Sequence, residues 1–169
     1  MTDVWTSTDI LAALRKRHSL ERGWLYAEEV DCFPDLSWSS AIREAAGGLY
    51  AGWHRRLDAY AMAIWESKRY ERVAYEIKVS RADFLKELSD PGKRHFALAL
   101  SNRFYFVLPD GVADKWEIPD GCGMMLYRNG SVRVHKQVPW KEIVEWPLGF
   151  VASFGRRLAQ ARDSAGRVG

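Results

Sequence analysis

The run Tyr75-Glu76-Ile77-Lys78-Val79 sets two charged residues into an otherwise apolar string. Successive side chains on a strand point to opposite faces. Val73, Tyr75, Ile77 and Val79 therefore share one face, and Glu76, Lys78 and Ser80 share the other. An earlier run repeats the pattern, with Arg56, Asp58 and Tyr60 on one side and Leu57, Ala59, Ala61 and Ala63 on the other. Glu66-Ser67-Lys68 lies between the two as a polar turn. An antiparallel hairpin centred on Ser67 sets Asp58 directly opposite Glu76, with Cβ atoms roughly 4.5–5.5 Å apart. Two carboxylates at that separation repel. A divalent cation between them removes the repulsion, and Mg²⁺ (or Mn²⁺) takes such oxygen ligands together with water and substrate phosphate. The ion would polarise a phosphoryl oxygen and acidify an attacking water, while Lys78 offsets transition-state charge. Phosphodiester hydrolysis needs such an assembly. The plain alternative is a Glu-Lys ion pair on a solvated strand face.

These residues need an α/β frame to hold them. Thr8-Asp9 predicts the cap of a first helix, with Ile10, Leu11 and Leu14 on one face and an end by Ser19. Residues 24–30 read as a strand. Residues 31–53 read as irregular, with a short helix over 39–46. Strands near 55–64 and 72–79 make the hairpin. Ser80 with Asp83 predicts a capping box for a helix over 81–88. Asp90-Pro91 opens another over 91–100. Residues 103–108 are nearly all apolar or aromatic, which predicts a buried strand. Asn129-Gly130 joins 124–127 to 132–134 as a small hairpin. Pro147 opens a last helix with Phe150, Val151, Phe154 and Leu158 as its apolar stripe. The order predicts one α/β domain over residues 1–169, a sheet with helices on its faces.

Composition narrows the classes. Apolar residues make up 47% of the chain, enough for a real core. A net charge of +3 neither requires nor excludes a nucleic-acid partner. The basic pairs Arg55-Arg56, Lys93-Arg94 and Arg156-Arg157 are local. Two cysteines, Cys32 and Cys122, have no disulfide or zinc spacing and fit reduced thiols. No signal peptide opens the chain and no apolar stretch approaches the ~20 residues of a membrane span. A cytoplasmic protein without a membrane partner is the expectation.

Three segments carry a family resemblance. They are Arg56-Leu57-Asp58, the run from Tyr75 through Ser80-Arg81-Ala82-Asp83-Phe84, and Asn102-Arg103-Phe104-Tyr105-Phe106-Val107-Leu108-Pro109. Together they resemble the MmcB-like DNA repair proteins of the PD-(D/E)XK nuclease superfamily, over roughly residues 24–139. The resemblance implies a restriction-endonuclease-like core: a mixed central sheet flanked by helices, with a small C-terminal hairpin and helix. It also implies a metal-dependent nuclease acting on DNA. Asp58 and Glu76 would be ligands, Lys78 the catalytic lysine, and Glu28 or Glu29 a further ligand from the first strand. Matching Glu29-Val30 to the family's Glu-Leu favours Glu29. Two departures bear on substrate choice: the long 31–53 insertion, and Ala59-Tyr60 after Asp58.

Other side chains carry paired readings. Ser80 is first a helix cap and second a group reaching the water at the metal. Arg56, Lys93 and Arg94 are expected at phosphates, against a solvated face. Tyr60 either packs or stacks on a base, and Trp38, Tyr50 and Trp53 read as packing of the insertion. Trp140 and Trp146 are expected to anchor the last helix, and His54 and His95 to be structural. The competing functions are a non-catalytic DNA-binding module on the same fold and an enzyme on another phosphoester. A homodimer is a further expectation, because cutting two strands needs two sites.

Overall fold

Six extended runs pair into one sheet whose spatial order is their order in the chain. They are β1 (Trp24–Cys32), β2 (Arg55–Ala63), β3 (Arg72–Ile77), β4 (Arg103–Pro109), β5 (Gly123–Arg128) and β6 (Ser131–Lys136). The sheet is mixed: β3–β4 and β4–β5 are parallel and the other three pairs antiparallel. Helices α1 (Ser7–Arg17), α2 (Ser40–Ala45), α3 (Arg81–Leu88), α4 (His95–Leu100) and α5 (Leu148–Gly166) flank it. This computed structural model describes residues 5–48, 54–143 and 145–166. The α/β class, a mixed sheet flanked by helices, is as the sequence predicts.

Local chemistry explains the element ends. Thr6, not Thr8, caps α1, because a capping box needs its acidic partner three residues on, and that partner is Asp9. The 91–100 segment divides into a 3-10 turn, Pro91–Arg94, and α4. Asn129 and Gly130 take φ of 49° and 76°, the conformation a tight hairpin turn requires. That hairpin does not stand apart, however. β5 is buried at Gly123, Met124, Met125 and Tyr127 and pairs parallel to β4, so it extends the main sheet. A strand apolar on both faces needs cover on both, which an isolated hairpin cannot supply.

Two cores sandwich the sheet. On one face α1 lays Ile10 and Leu14 on Ala59, Ala61, Val73 and Tyr75. On the other, Tyr60, Ala74, Phe104 and Phe106 pack beneath Phe84, Phe96, Leu100, Phe150 and Phe154. Tyr60 is fully buried and its hydroxyl donates to the Leu100 carbonyl at 2.5 Å, so it packs rather than stacks on a ligand. Trp146 meets Phe150 and Phe154 with tilted rings, as expected of an anchor. Trp140 does not: it lies under the Arg69 guanidinium, 4.0 Å from its ring centre, and donates to Glu142. Trp38 packs on Phe96, while Tyr50 and Trp53 lie outside the described residues. His54 pairs with Asp31 at 3.0 Å. Both cysteines are free and buried.

His18 closes α1 and is expected to make the fold acid-sensitive. It is 5% exposed, and its Nε2 lies 2.6 Å from the Tyr75 hydroxyl, while its Nδ1 has no hydrogen-bond partner among the described residues. Burial, helped by the charges of Arg17 and Lys68, pushes its pKa down to about 3 from 6.5. A depressed folded pKa gives stability that is present above pH 6.5 and is lost as pH falls toward 3. Urea unfolding at pH 7 and 4.5 is expected to show His18→Gln losing roughly 2–3 kcal/mol less than wild type over that interval. Parallel losses in the two proteins would show that His18 is not the acid-labile group.

Candidate active site

β2 and β3 pair with Ala59 opposite Tyr75 and Tyr60 opposite Ala74. That is the register of a hairpin centred on Ser67, and continuing it by one residue sets Asp58 against Glu76. Strand pairing stops there because Asp58 takes over: its Oδ2 accepts from the Ile77 N–H at 2.7 Å. β3 accordingly ends at Ile77 rather than Val79, although the Lys78 N–H still donates to the Val107 carbonyl of β4. Lys78 turns its ammonium onto Glu76, with Nζ 2.5 Å from Oε1. The pair is not a solvated strand feature, since its side chains are only 17% and 18% exposed.

A third carboxylate joins them. Glu87, on α3, brings Oε2 to 3.5 Å from Lys78 Nζ with its side chain 7% exposed. Sequence reasoning missed it, though its position three residues after the buried Phe84 puts it on the inward stripe of α3. Charge is crowded here. Burial raises the Asp58 pKa against the pull of the Ile77 N–H and Lys78, and the charges of Glu87 and Glu29 add to the rise. Burial, then the Asp58 charge, pushes Glu76 up to about 7. Burial opposes the charge on Lys78, but Glu76, Glu87 and Asp58 outweigh it and hold its pKa above the ordinary value.

Glu29 sits where β1 changes phase. Glu28 pairs with Ala59 and Val30 with Leu57, but Glu29 adopts φ 51° between them. Ala27 and Val30, three residues apart, consequently face the same core. The Glu29 carboxylate is 60% exposed and ion-pairs with Arg56 at 3.4 Å. Its charge is felt at Asp58. Glu28 turns instead to Arg15 of α1, at 2.6 Å. Of the two first-strand acids, Glu29 is therefore the one coupled to Asp58.

The donor set suits a hard cation held by few protein ligands. Among the described residues no three His, Cys, Asp or Glu side chains gather at metal-holding distance. The register, continued by one residue, sets two carboxylates opposite each other, each with one oxygen engaged: Asp58 by the Ile77 N–H and Glu76 by Lys78. The second oxygen of each is left to offer. Mg²⁺ is commonly held by one or two carboxylates, with water and substrate phosphate completing its shell. The residues present fit that ion, with Asp58 and Glu76 as the pair and Glu29 at the margin.

The expected phosphate contacts separate. Ser80 caps α3, accepting from the Asp83 N–H at 3.1 Å and donating to its carboxylate. Lys93 joins Lys78, Asp83, Lys86 and Glu87 around a cavity of about 240 Å³ beside the site. Arg56 is exposed and paired with Glu29 and Asp31. Arg94 is not at the surface: it is 7% exposed and donates to the Glu87 carbonyl at 2.7 Å. The chain turns inward after α3, and the expectation of a phosphate contact at Arg94 is corrected to a structural bond. A groove of about 1020 Å³ runs past Glu28 and Glu29, with Arg15, Arg157 and Arg162 on its walls. No helix among the described residues is long and apolar enough to cross a membrane.

No family model matches the chain, and no curated protein matches it. Among solved structures it is similar to a protein of unknown function from Silicibacter pomeroyi, at 17% identity and a TM-score of 0.59. The match covers 98% of this chain and 92% of that one. At that identity the likeness concerns the fold alone.

Proposed function

We propose that this chain is a Mg²⁺-dependent deoxyribonuclease with a restriction-endonuclease-like core of the PD-(D/E)XK type, akin to the MmcB-like proteins and working in DNA repair or phage-like DNA processing. The observation that carries the reading is the half-buried pair Asp58 and Glu76, set opposite each other when the β2–β3 register is continued by one residue, with Lys78 bound to Glu76. Evolution rarely retains such a charge cluster at a strand end for stability, because desolvation consumes what the ion pairs return. A divalent cation, when bound, would supply Lewis acidity at a phosphoryl oxygen and acidify the attacking water. Asp58 and Glu76 would hold that ion, and the ammonium of Lys78 would offset charge that develops on the phosphate. Ser80 fixes the start of α3 and thereby the distance from β3 to Glu87. Lys86 and Lys93 flank the cavity and draw in the phosphate backbone, and Arg56 does so from β2. Two strands cut together would call for two copies of the chain.

Labelled linear, single-stranded and forked DNA, incubated with Mg²⁺, Mn²⁺ or EDTA, tests the proposal. Cleavage of at least one form with either ion, and none with EDTA, is the expected result. Binding should weaken steeply with salt, since released counterions dominate affinity, and Lys86→Ala with Lys93→Ala should reduce the slope of log K against log salt by about 1 to 2. Metal-independent binding without cleavage would leave a DNA-binding module in place of a nuclease.

A further inference from the structure

Glu87 is a buried acid on a helix that none of the expected chemistry uses. Its carboxylate is aimed at Lys78 Nζ at 3.5 Å, while the same ammonium sits 2.5 Å from Glu76. Lys78 is thus shared between a carboxylate facing Asp58 and one set back on α3. In the absence of a divalent ion the ammonium fills the place of a cation. It pairs with Oε1 of Glu76, beside the second oxygen left for a metal, so its charge opposes a cation there.

We propose that Glu87 is a positioning residue that receives the Lys78 ammonium when a divalent cation enters between Asp58 and Glu76; this rests on the metal-centre reading above. The charges favour the exchange. Asp58, Glu76 and Glu87 gather around the single ammonium of Lys78, a formal excess of two negative charges that one divalent ion balances, with Asp83, Lys86 and Lys93 further out around the cavity. Lys78 would be repelled by an ion held between Asp58 and Glu76, and Glu87 is an acceptor already within reach, so the ammonium needs to move only about its own width. α3 keeps that acceptor in place: Ser80 caps its first turn, and Arg94 binds the Glu87 carbonyl at 2.7 Å. Without Glu87 the ammonium would keep Glu76 as its ion-pair partner among the described residues and would compete with the metal.

Calorimetric titration with Mn²⁺ alone, on the full chain without DNA, tests the exchange. Glu87→Gln keeps the shape and removes the charge. It is expected to weaken Mn²⁺ binding by roughly 10-fold or more, the scale on which groups behind metal ligands act. In a Lys78→Ala background the same change should have little effect, because the competitor is gone. Glu87→Asp, which restores the charge on a shorter arm, should recover part of the affinity. Equal Mn²⁺ affinity in wild type and Glu87→Gln overturns the proposal and leaves the metal centre standing. Equal weakening in both backgrounds also overturns it, and makes Glu87 a direct ligand. Absence of Mn²⁺ binding by wild type overturns the metal-centre reading and the exchange with it.

Discussion

Glu76→Gln is expected to lose Mn²⁺ binding and to cut DNA at least on the order of 10²–10³-fold more slowly, yet to be the more stable protein at pH 8 without metal. The opposite signs have one cause. Burial and the Asp58 charge raise the folded pKa of Glu76 to about 7, against 4.5 for the free side chain. A raised folded pKa gives stability that is full below pH 4.5 and is lost as pH rises through 7. At pH 8 the ionised carboxylate therefore costs the metal-free fold roughly 3 kcal/mol. Glutamine cannot ionise and does not carry that cost, and Glu87 remains to pair with Lys78. Urea unfolding in EDTA at pH 5 and pH 8 measures it: wild type should weaken between the two while the variant stays level, once the His18 contribution common to both is subtracted. Added Mn²⁺ should raise the melting temperature of wild type only. A variant less stable than wild type at pH 8, or equally stabilised by Mn²⁺, would remove Glu76 from the centre. A site that destabilises its own fold until a ligand arrives is the pattern expected of residues kept for function.

Much of this arrangement is legible in the amino-acid sequence. Period-two alternation in 56–63 and 73–79, with a polar turn between, carries enough information to set Asp58 against Glu76, and the pairing of Ala59 with Tyr75 agrees. The capping motif at Ser80 likewise predicts the start of α3. What escaped was nonlocal. Glu87 is one of two acids on a short helix, and only packing of α3 over Phe106 reveals that it faces Lys78. Arg94 was misread because a basic pair in a helical stretch looks solvated until the turn at Pro91–Arg94 rotates one member inward. Strict alternation in β1 and β2 failed at Glu29 and Asp58, where a left-handed residue shifts the phase and lets Leu57 join Val30 in one core. Backbone departures of that kind gather at functional sites, where an interrupted ladder frees polar groups for other work. Those places are also where sequence periodicity is a poor guide.

Lys78→Ala separates a working lysine from a structural one. The change removes the ammonium and leaves three carboxylates buried together. Metal affinity is expected to rise, since a competing cation is gone, and DNA binding to fall only modestly because Lys86 and Lys93 remain beside the cavity. Cleavage should fall by roughly 10²-fold or more if the ammonium stabilises charge developing on the phosphate. Stability should fall too. With Glu76 and Glu87 18% and 7% exposed, taking away their shared cation resembles breaking a buried pair, which costs about 3–5 kcal/mol, and the partial exposure of Glu76 sets the expectation at the lower end. Mn²⁺ should restore much of that loss, because the ion neutralises the same carboxylates. It should not restore cleavage. Lys78→Arg is expected to recover stability more than rate, since a planar guanidinium can pair with both acids but cannot occupy the place of a compact ammonium. A purely structural Lys78 predicts another pattern, in which Mn²⁺ rescues folding and cleavage together. Measuring melting temperature and cleavage rate on the same Mn²⁺-loaded Lys78→Ala protein decides between them, and full cleavage in that sample would take Lys78 out of the chemistry.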